Sequence, residues 1–212
     1  MTSVLGSQIA FQAAFHGFAV TAYDIDQAAV TAAHERFAKL AATYRAEVPG
    51  GTAGADAAAR ALVVTDDLAA AVADADLVIE AVPEILDLKR ATYARLAELA
   101  PERTVFATNS STLLPSDLAA STGRPDRFLA LHFANRVWRF NTAEVMGTAE
   151  TDPAVFERVV EFAGEIGMVP IPIHKEKSGY VLNSLLVPWL DAATELAAFD
   201  YAAPADIDRV WR

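Results

Sequence analysis

Apolar positions along the chain fall into two alternating kinds of run. Residues 6–17 (GSQIAFQAAFHG) are apolar around most of the helical circumference, as in a helix packed deep against a sheet, and Gly17 suits its C-terminal cap. Residues 18–23 (FAVTAY) read as a buried strand ending at Asp24. Residues 26–46 return to helical spacing with charges on one side, and residues 49–54 (PGGTAG) read as a break or loop. Short apolar runs follow at 62–64, 76–82, 104–108 and 128–133, separated by helical stretches beginning near Asp66, Glu84 and Pro115. This alternation predicts a parallel sheet with helices on both faces, a doubly wound α/β fold. Residues 142–147 read as a further strand, 153–166 as a helix opened by Asp152, and 168–173 as a last extended segment that Pro170 and Pro172 confine to an edge. Residues 180–199 have helical length and no strand partner, and another helix starts near Pro204. No internal repeat is visible.

Composition narrows the class. At 212 residues the chain can bury a core without staples, and with no cysteine it offers no disulfide, thiolate metal site or cysteine nucleophile. A formal net charge of −11 argues against a nucleic-acid partner but leaves room for a local basic pocket. No apolar run approaches the roughly 20 residues of a membrane helix, so a soluble cytoplasmic protein with no membrane partner is expected. Metal ligation has no candidate cluster.

An open parallel sheet binds ligands beyond the carboxyl ends of its strands. Asp24 occupies such a place, where a carboxylate accepts the ribose hydroxyls of a dinucleotide and repels a 2′-phosphate; a turn or helix-capping role fits it equally. A complete phosphate loop reads G-x-G-x-x-G after a first strand, because glycine lets the backbone approach the pyrophosphate. Here only Gly6 is present. If residues 4–6 are the tail of that loop, Met1 and Ser3 occupy the first two glycine places and the strand before them is missing.

Asp24, VIEAVPE (78–84) with Lys89 after it, TNSST (108–112), LHFAN (131–135) with Glu144 downstream, and GYVLNSLLVPWL (179–190) together resemble the L-3-hydroxyacyl-CoA dehydrogenase family, in register over almost the whole chain. The resemblance implies a Rossmann-type NAD-binding domain over residues 1–173 and the opening of a helical substrate and dimerisation domain over 174–212. The expected reaction is NAD-dependent interconversion of an L-3-hydroxyacyl-CoA and a 3-ketoacyl-CoA in fatty-acid metabolism, by a homodimer once the second domain is complete.

The chemistry agrees with that expectation. Oxidising a secondary alcohol requires a base for the hydroxyl proton, and histidine is the usual one near neutral pH. His132 follows a strand, whereas His16, His34 and His174 suit solvated roles. Glu144, 12 residues on, is far enough for a return strand to bring its carboxylate beside the imidazole, and in the resembled family these positions form the catalytic pair. A hydrogen-bonded core histidine is the alternative for His132 taken alone. The resemblance places Ser111 and Asn183 as catalytic and substrate-positioning residues, Asn135 as a substrate contact, and Gly6, Asp24, Glu84 and Lys89 on the cofactor. Without it, Ser111 reads as helix capping, Asn183 as a structural hydrogen bond, and Glu84 with Lys89 as a surface pair.

Two departures stand out. Arg136 replaces the proline usual in the family's H-F-F-N-P, so the turn changes and a positive charge joins Trp138 and Arg139, facing either CoA phosphates or solvent. The incomplete phosphate loop favours one rival reading, a non-catalytic relic or binding protein that keeps the site residues; a second rival keeps the fold and catalytic residues but acts on a non-CoA hydroxy acid.

Overall fold

The computed structural model describes residues 4–211. Met1 and Ser3, at the expected glycine places, lie outside the described residues. The chain runs α1 (Val4–Phe15), β1 (Thr21–Tyr23), α2 (Gln27–Glu47), α3 (Gly51–Ala61), β2 (Val63–Thr65), α4 (Leu68–Val72), β3 (Leu77–Glu80), α5 (Leu86–Leu99), β4 (Val105–Thr108), α6 (Ser116–Ala119), two single 3-10 turns, β5 (Phe128–Phe133), β6 (Thr142–Gly147), α7 (Pro153–Glu165), β7 (Val169–Ile173), α8 (Tyr180–Ala198) and α9 (Pro204–Val210). The sheets are flanked by helices, so the α/β reading holds. Gly6 lies in the first turn of α1 rather than in a loop.

Among the described residues β1 pairs only with β2, in parallel, while β3-β4-β5-β6-β7 form a second sheet in that order. Both sheets share the same helical layers. α1 packs Ile9 and Ala13 in a cluster with Leu77 and Ile79 of β3, and Phe11 and Ala14 in one with Ala22 of β1. Tyr23 and Val78 meet the cluster of Tyr93, Leu96 and Phe106. Among the described residues no strand joins β1 to β3, and the facing backbone edges are unpaired in the sheet. Leu77, Val78 and Ile79 are accordingly half-buried, whereas β5 is buried along its whole length.

The all-parallel expectation needs correction at one edge. β6 runs antiparallel to β5, and β7 runs parallel to β6. The β5–β6 connection is too short to carry the crossover that a parallel pair requires, so the chain turns straight back. The loop expected over 49–54 is also corrected, because α3 starts at Gly51. Its glycines serve packing: a Cβ at Gly51 would collide with the Tyr44 carbonyl, and one at Gly54 would stand 2.6 Å from the Phe15 ring. Asp26 and Asp152 cap α2 and α7 through Ala29 N and Ala154 N.

Candidate active site

The site is assembled at the carboxyl ends of β3, β4 and β5. The β5–β6 register puts His132 directly opposite Glu144, on one face of the sheet. His132 Nδ1 lies 2.9 Å from Glu144 Oε2, and both side chains are buried. A carboxylate only accepts, so Nδ1 carries the proton of that bond, and Nε2, 3.2 Å from Ser111 Oγ, is the nitrogen turned toward chemistry. Glu144 Oε1 accepts from the amides of Val181 and Leu182, 2.9 Å each, in the first turn of α8. Burial would raise the Glu144 carboxyl, but the His132 hydrogen bond and charge and the two helix amides outweigh it and hold it below the usual carboxylate range. Glu144 is thus the anionic counterpart for an imidazolium.

Ser111 is placed by Glu84. One oxygen of that carboxylate, Oε1, accepts from Ser110 Oγ, from the amides of Ser111, Thr112 and Leu113 at 3.0, 2.9 and 3.3 Å, and from Thr112 Oγ1 at 2.9 Å. Burial pulls the Glu84 carboxyl up, yet the Ser110 and Thr112 hydrogen bonds, with the charge of Lys89, push it down to about 2. The capping alternative is real for Ser110, whose Oγ also receives Leu113 N at 3.1 Å. Ser111 instead turns to His132.

Lys89 is 1% exposed, which corrects the surface-pair alternative. Its Nζ donates to Glu80 Oε1 at 2.7 Å and to Val82 O at 3.2 Å, with Glu84 Oε2 at 3.5 Å. Glu80 also accepts from Val82 N at 2.7 Å and Thr108 Oγ1 at 2.9 Å. Glu84 and Lys89 therefore form the scaffold under the Ser111 loop. Asn109 ties the same loop to β5 by accepting from Phe133 N at 3.0 Å.

The other expected residues are spread around this centre. Asp24 ends the β1 segment, 2% exposed, with Oδ1 on Ile25 N at 2.8 Å and Oδ2 3.8 Å from Arg36. Asn183 is half-buried in the first turns of α8, and Asn135 is exposed in the turn after β5. Arg136 has φ 62, which a proline ring cannot adopt, so the loss of the family proline reshapes this turn. The amides of Arg136 and Val137 donate to Gln8 Oε1, and Arg136 and Trp138 both reach Glu47, at 3.8 and 2.8 Å. That positive charge is thereby already paired.

Sequence reasoning missed Glu80, Asn109 and Tyr180. Glu80 was findable as the one charge inside an apolar strand. Tyr180 carried no signal in an apolar helix, yet its ring stacks on His132 with centroids 4.5 Å apart and planes 20° apart.

An α/β fold with a buried His–Glu pair and a serine beyond the carboxyl ends of its strands defines a Rossmann-like protein with a proton-transfer site. Residues 2–177 match the family described as 3-hydroxyacyl-CoA dehydrogenase, NAD binding domain, and the chain belongs to that family. It is 40% identical over 147 residues to mouse (Mus musculus) mitochondrial hydroxyacyl-coenzyme A dehydrogenase, covering 69% of this chain and 46% of that protein. It is 34% identical over 215 residues to the 3-hydroxyadipyl-CoA dehydrogenase of Escherichia coli K12, covering 100% of this chain and 44% of that one. A solved diketoreductase structure, concerned with substrate-directed dual catalysis of dicarbonyl compounds, superposes with a TM-score of 0.95 at 66% identity over 100% of this chain and 75% of that chain. The chain thus spans about half the length of the curated relatives it matches.

The residues present fit NAD at two points. Asp24 directly follows β1 and is buried, and a carboxylate at a strand's carboxyl end in such a fold can accept ribose hydroxyls. His132 and Ser111 meet at the carboxyl ends of β5 and β4, the edge at which such a sheet takes its ligands. Of the expected phosphate-loop positions, Met1 and Ser3 fall outside the described residues and Gly6 lies in the first turn of α1.

Proposed function

We propose that this chain interconverts an L-3-hydroxyacyl-CoA and a 3-ketoacyl-CoA with NAD. The observation that carries the reading is the line Ser111 Oγ, His132 Nε2, His132 Nδ1, Glu144 Oε2, with separations of 3.2 and 2.9 Å across its two hydrogen bonds. In the oxidative direction His132 Nε2 takes the hydroxyl proton while Ser111 Oγ holds the same oxygen, and Glu144 balances the imidazolium that forms. NAD, when bound, supplies the hydride acceptor. In reduction His132 returns its proton to the carbonyl oxygen. Asp24 holds the adenosine ribose, Asn183 and Asn135 contact the substrate, and Glu84 and Lys89 hold the loop beside the nicotinamide. Gly6 opens the helix behind the pyrophosphate.

In this reading residues 1–173 are the cofactor domain and 174–212 open a helical substrate and dimerisation domain. α8 supports that division: Leu185 is 69% exposed and Val187 51%, an apolar face suited to a partner subunit. No helix among the described residues is long and apolar enough to cross a membrane. We place the chain in the cytoplasm, in fatty-acid β-oxidation or related acyl-CoA metabolism.

A second reading follows from the diketoreductase likeness: reduction of free dicarbonyl compounds. A 3-ketoacyl thioester is itself a 1,3-dicarbonyl, so both readings use one reaction centre and differ in what carries it. Steady-state reduction by NADH of 3-ketoacyl-CoA esters beside free 1,3-diketones and 3-keto esters separates them. Higher kcat/KM on the CoA esters is expected; exclusive use of the free compounds would overturn the CoA assignment.

A further inference from the structure

Tyr180 is bound to the site by three features that the reaction as derived does not use. Its ring lies face to face on the His132 imidazole, 4.5 Å between centroids. It is 1% exposed, packed among Ala130, Met146, Leu114 and Ile173, and the small Ala130 two residues before His132 on β5 leaves space on that face for the ring. Its backbone has φ 52, a left-handed conformation that is strained for a bulky side chain. Such strain persists only where surrounding contacts over-determine it. Here the next two amides, Val181 N and Leu182 N, both close on Glu144 Oε1. The left-handed turn through Gly179 and Tyr180 therefore delivers a ring to one member of the pair and two amides to the other.

We propose that Tyr180 is a positioning residue for His132: its ring fixes the plane of the imidazole from the face that hydrogen bonds leave free. The two ring nitrogens are held within the plane, by Glu144 on one side and Ser111 on the other. Two in-plane bonds leave the imidazole plane able to rock about the line joining its nitrogens, and a group stacked on its face opposes that motion. Rocking leaves Nε2 near its place but swings its lone pair away from the substrate oxygen, and misalignment at a reacting atom can cost on the order of 100-fold in rate. The hydroxyl has no part in this. Tyr180 Oη is buried without a hydrogen-bond partner among the described residues, and an unsatisfied buried hydroxyl costs stability.

The proposal rests on reading His132 as the acid/base, so the test includes a measurement that needs no turnover. Tyr180→Met and Tyr180→Phe are made in the full chain. Methionine fills the site with an apolar side chain and meets the same backbone demand, but offers no ring; phenylalanine keeps the ring and removes the orphaned hydroxyl. NMR of the His132 imidazole, assigned against His132→Gln, reads the ring-current shift of its carbon-bound protons. That upfield shift is expected to disappear in the Met variant and persist in the Phe variant. Kinetically, Met should lower kcat by about 10- to 100-fold with KM little changed, and Phe should restore it with a Tm equal to or above that of the parent. Unchanged His132 shifts or unchanged kcat in a folded Met variant would overturn the proposal, as would a Phe variant that loses kcat like Met. If Met fails to fold, the Phe variant decides, through its ring-current shift and its kcat together. Turnover unchanged in His132→Gln, with an intact ring-current shift in the parent, would remove the acid/base reading and leave the positioning geometry standing.

Discussion

Replacing Glu84 by Gln tests whether one carboxylate holds the Ser111 loop. Its Oε1 gathers two hydroxyls and three amides between Ser110 and Leu113, and Lys89 adds a counter-charge at 3.5 Å from Oε2. Gln keeps one acceptor oxygen but loses the charge that makes those bonds short and strong. A carboxyl pushed from 4.5 down to about 2 corresponds to about 3 kcal/mol of differential stabilisation in a dry site. With 37% of the side chain in water, screening reduces that to about 1–2 kcal/mol. Because the folded carboxyl is more acidic than the unfolded one, this stability is complete above about pH 4.5 and is lost as pH falls through about 2. Denaturant unfolding of parent and Glu84→Gln at pH 7, 5, 4 and 3 is the assay. The parent should be more stable by about 1–2 kcal/mol at pH 7 and 5, with the difference shrinking at pH 4 and 3. A loosened Ser111 should also lower kcat by about tenfold or more. A stability difference that stays constant from pH 7 to 3 would refute the claim that charge holds this loop.

Asp24 should make NAD preferred over NADP, and Asp24→Ala should narrow that preference in kcat/KM; equal use of both cofactors by the parent would reduce Asp24 to a turn residue that pairs with Arg36.

The central geometry was legible because strand physics is local. β5 is an apolar run broken only by His132, and the 12-residue offset from His132 to Glu144 leaves room for one turn and a return strand, which is what the register shows. The direction of β6 and β7 was not written in an alternation of strands and helices; it follows from the short β5–β6 connection. Gly51 and Gly54 read as a break because local propensity cannot see Tyr44 and Phe15 pressing against them. Glu84 and Lys89 carried the spacing of a surface pair, and only the fold brings Glu80 and the loop of Ser111 to meet them. Tyr180 was hidden for a related reason: an aromatic in an apolar helix looks like core until its stacking partner is known.

The most direct test of the account is the turnover of His132→Ala with a 3-ketoacyl-CoA and saturating NADH, measured beside its affinity for NADH. Losing a positioned acid/base should lower kcat on the order of 10²- to 10⁴-fold, with NADH affinity little changed, because His132 is fixed by Glu144 and Ser111 on the substrate side of the site. Near-full turnover in that variant would contradict the account, since no other histidine among the described residues stands beside Glu144 and Ser111 to take the proton.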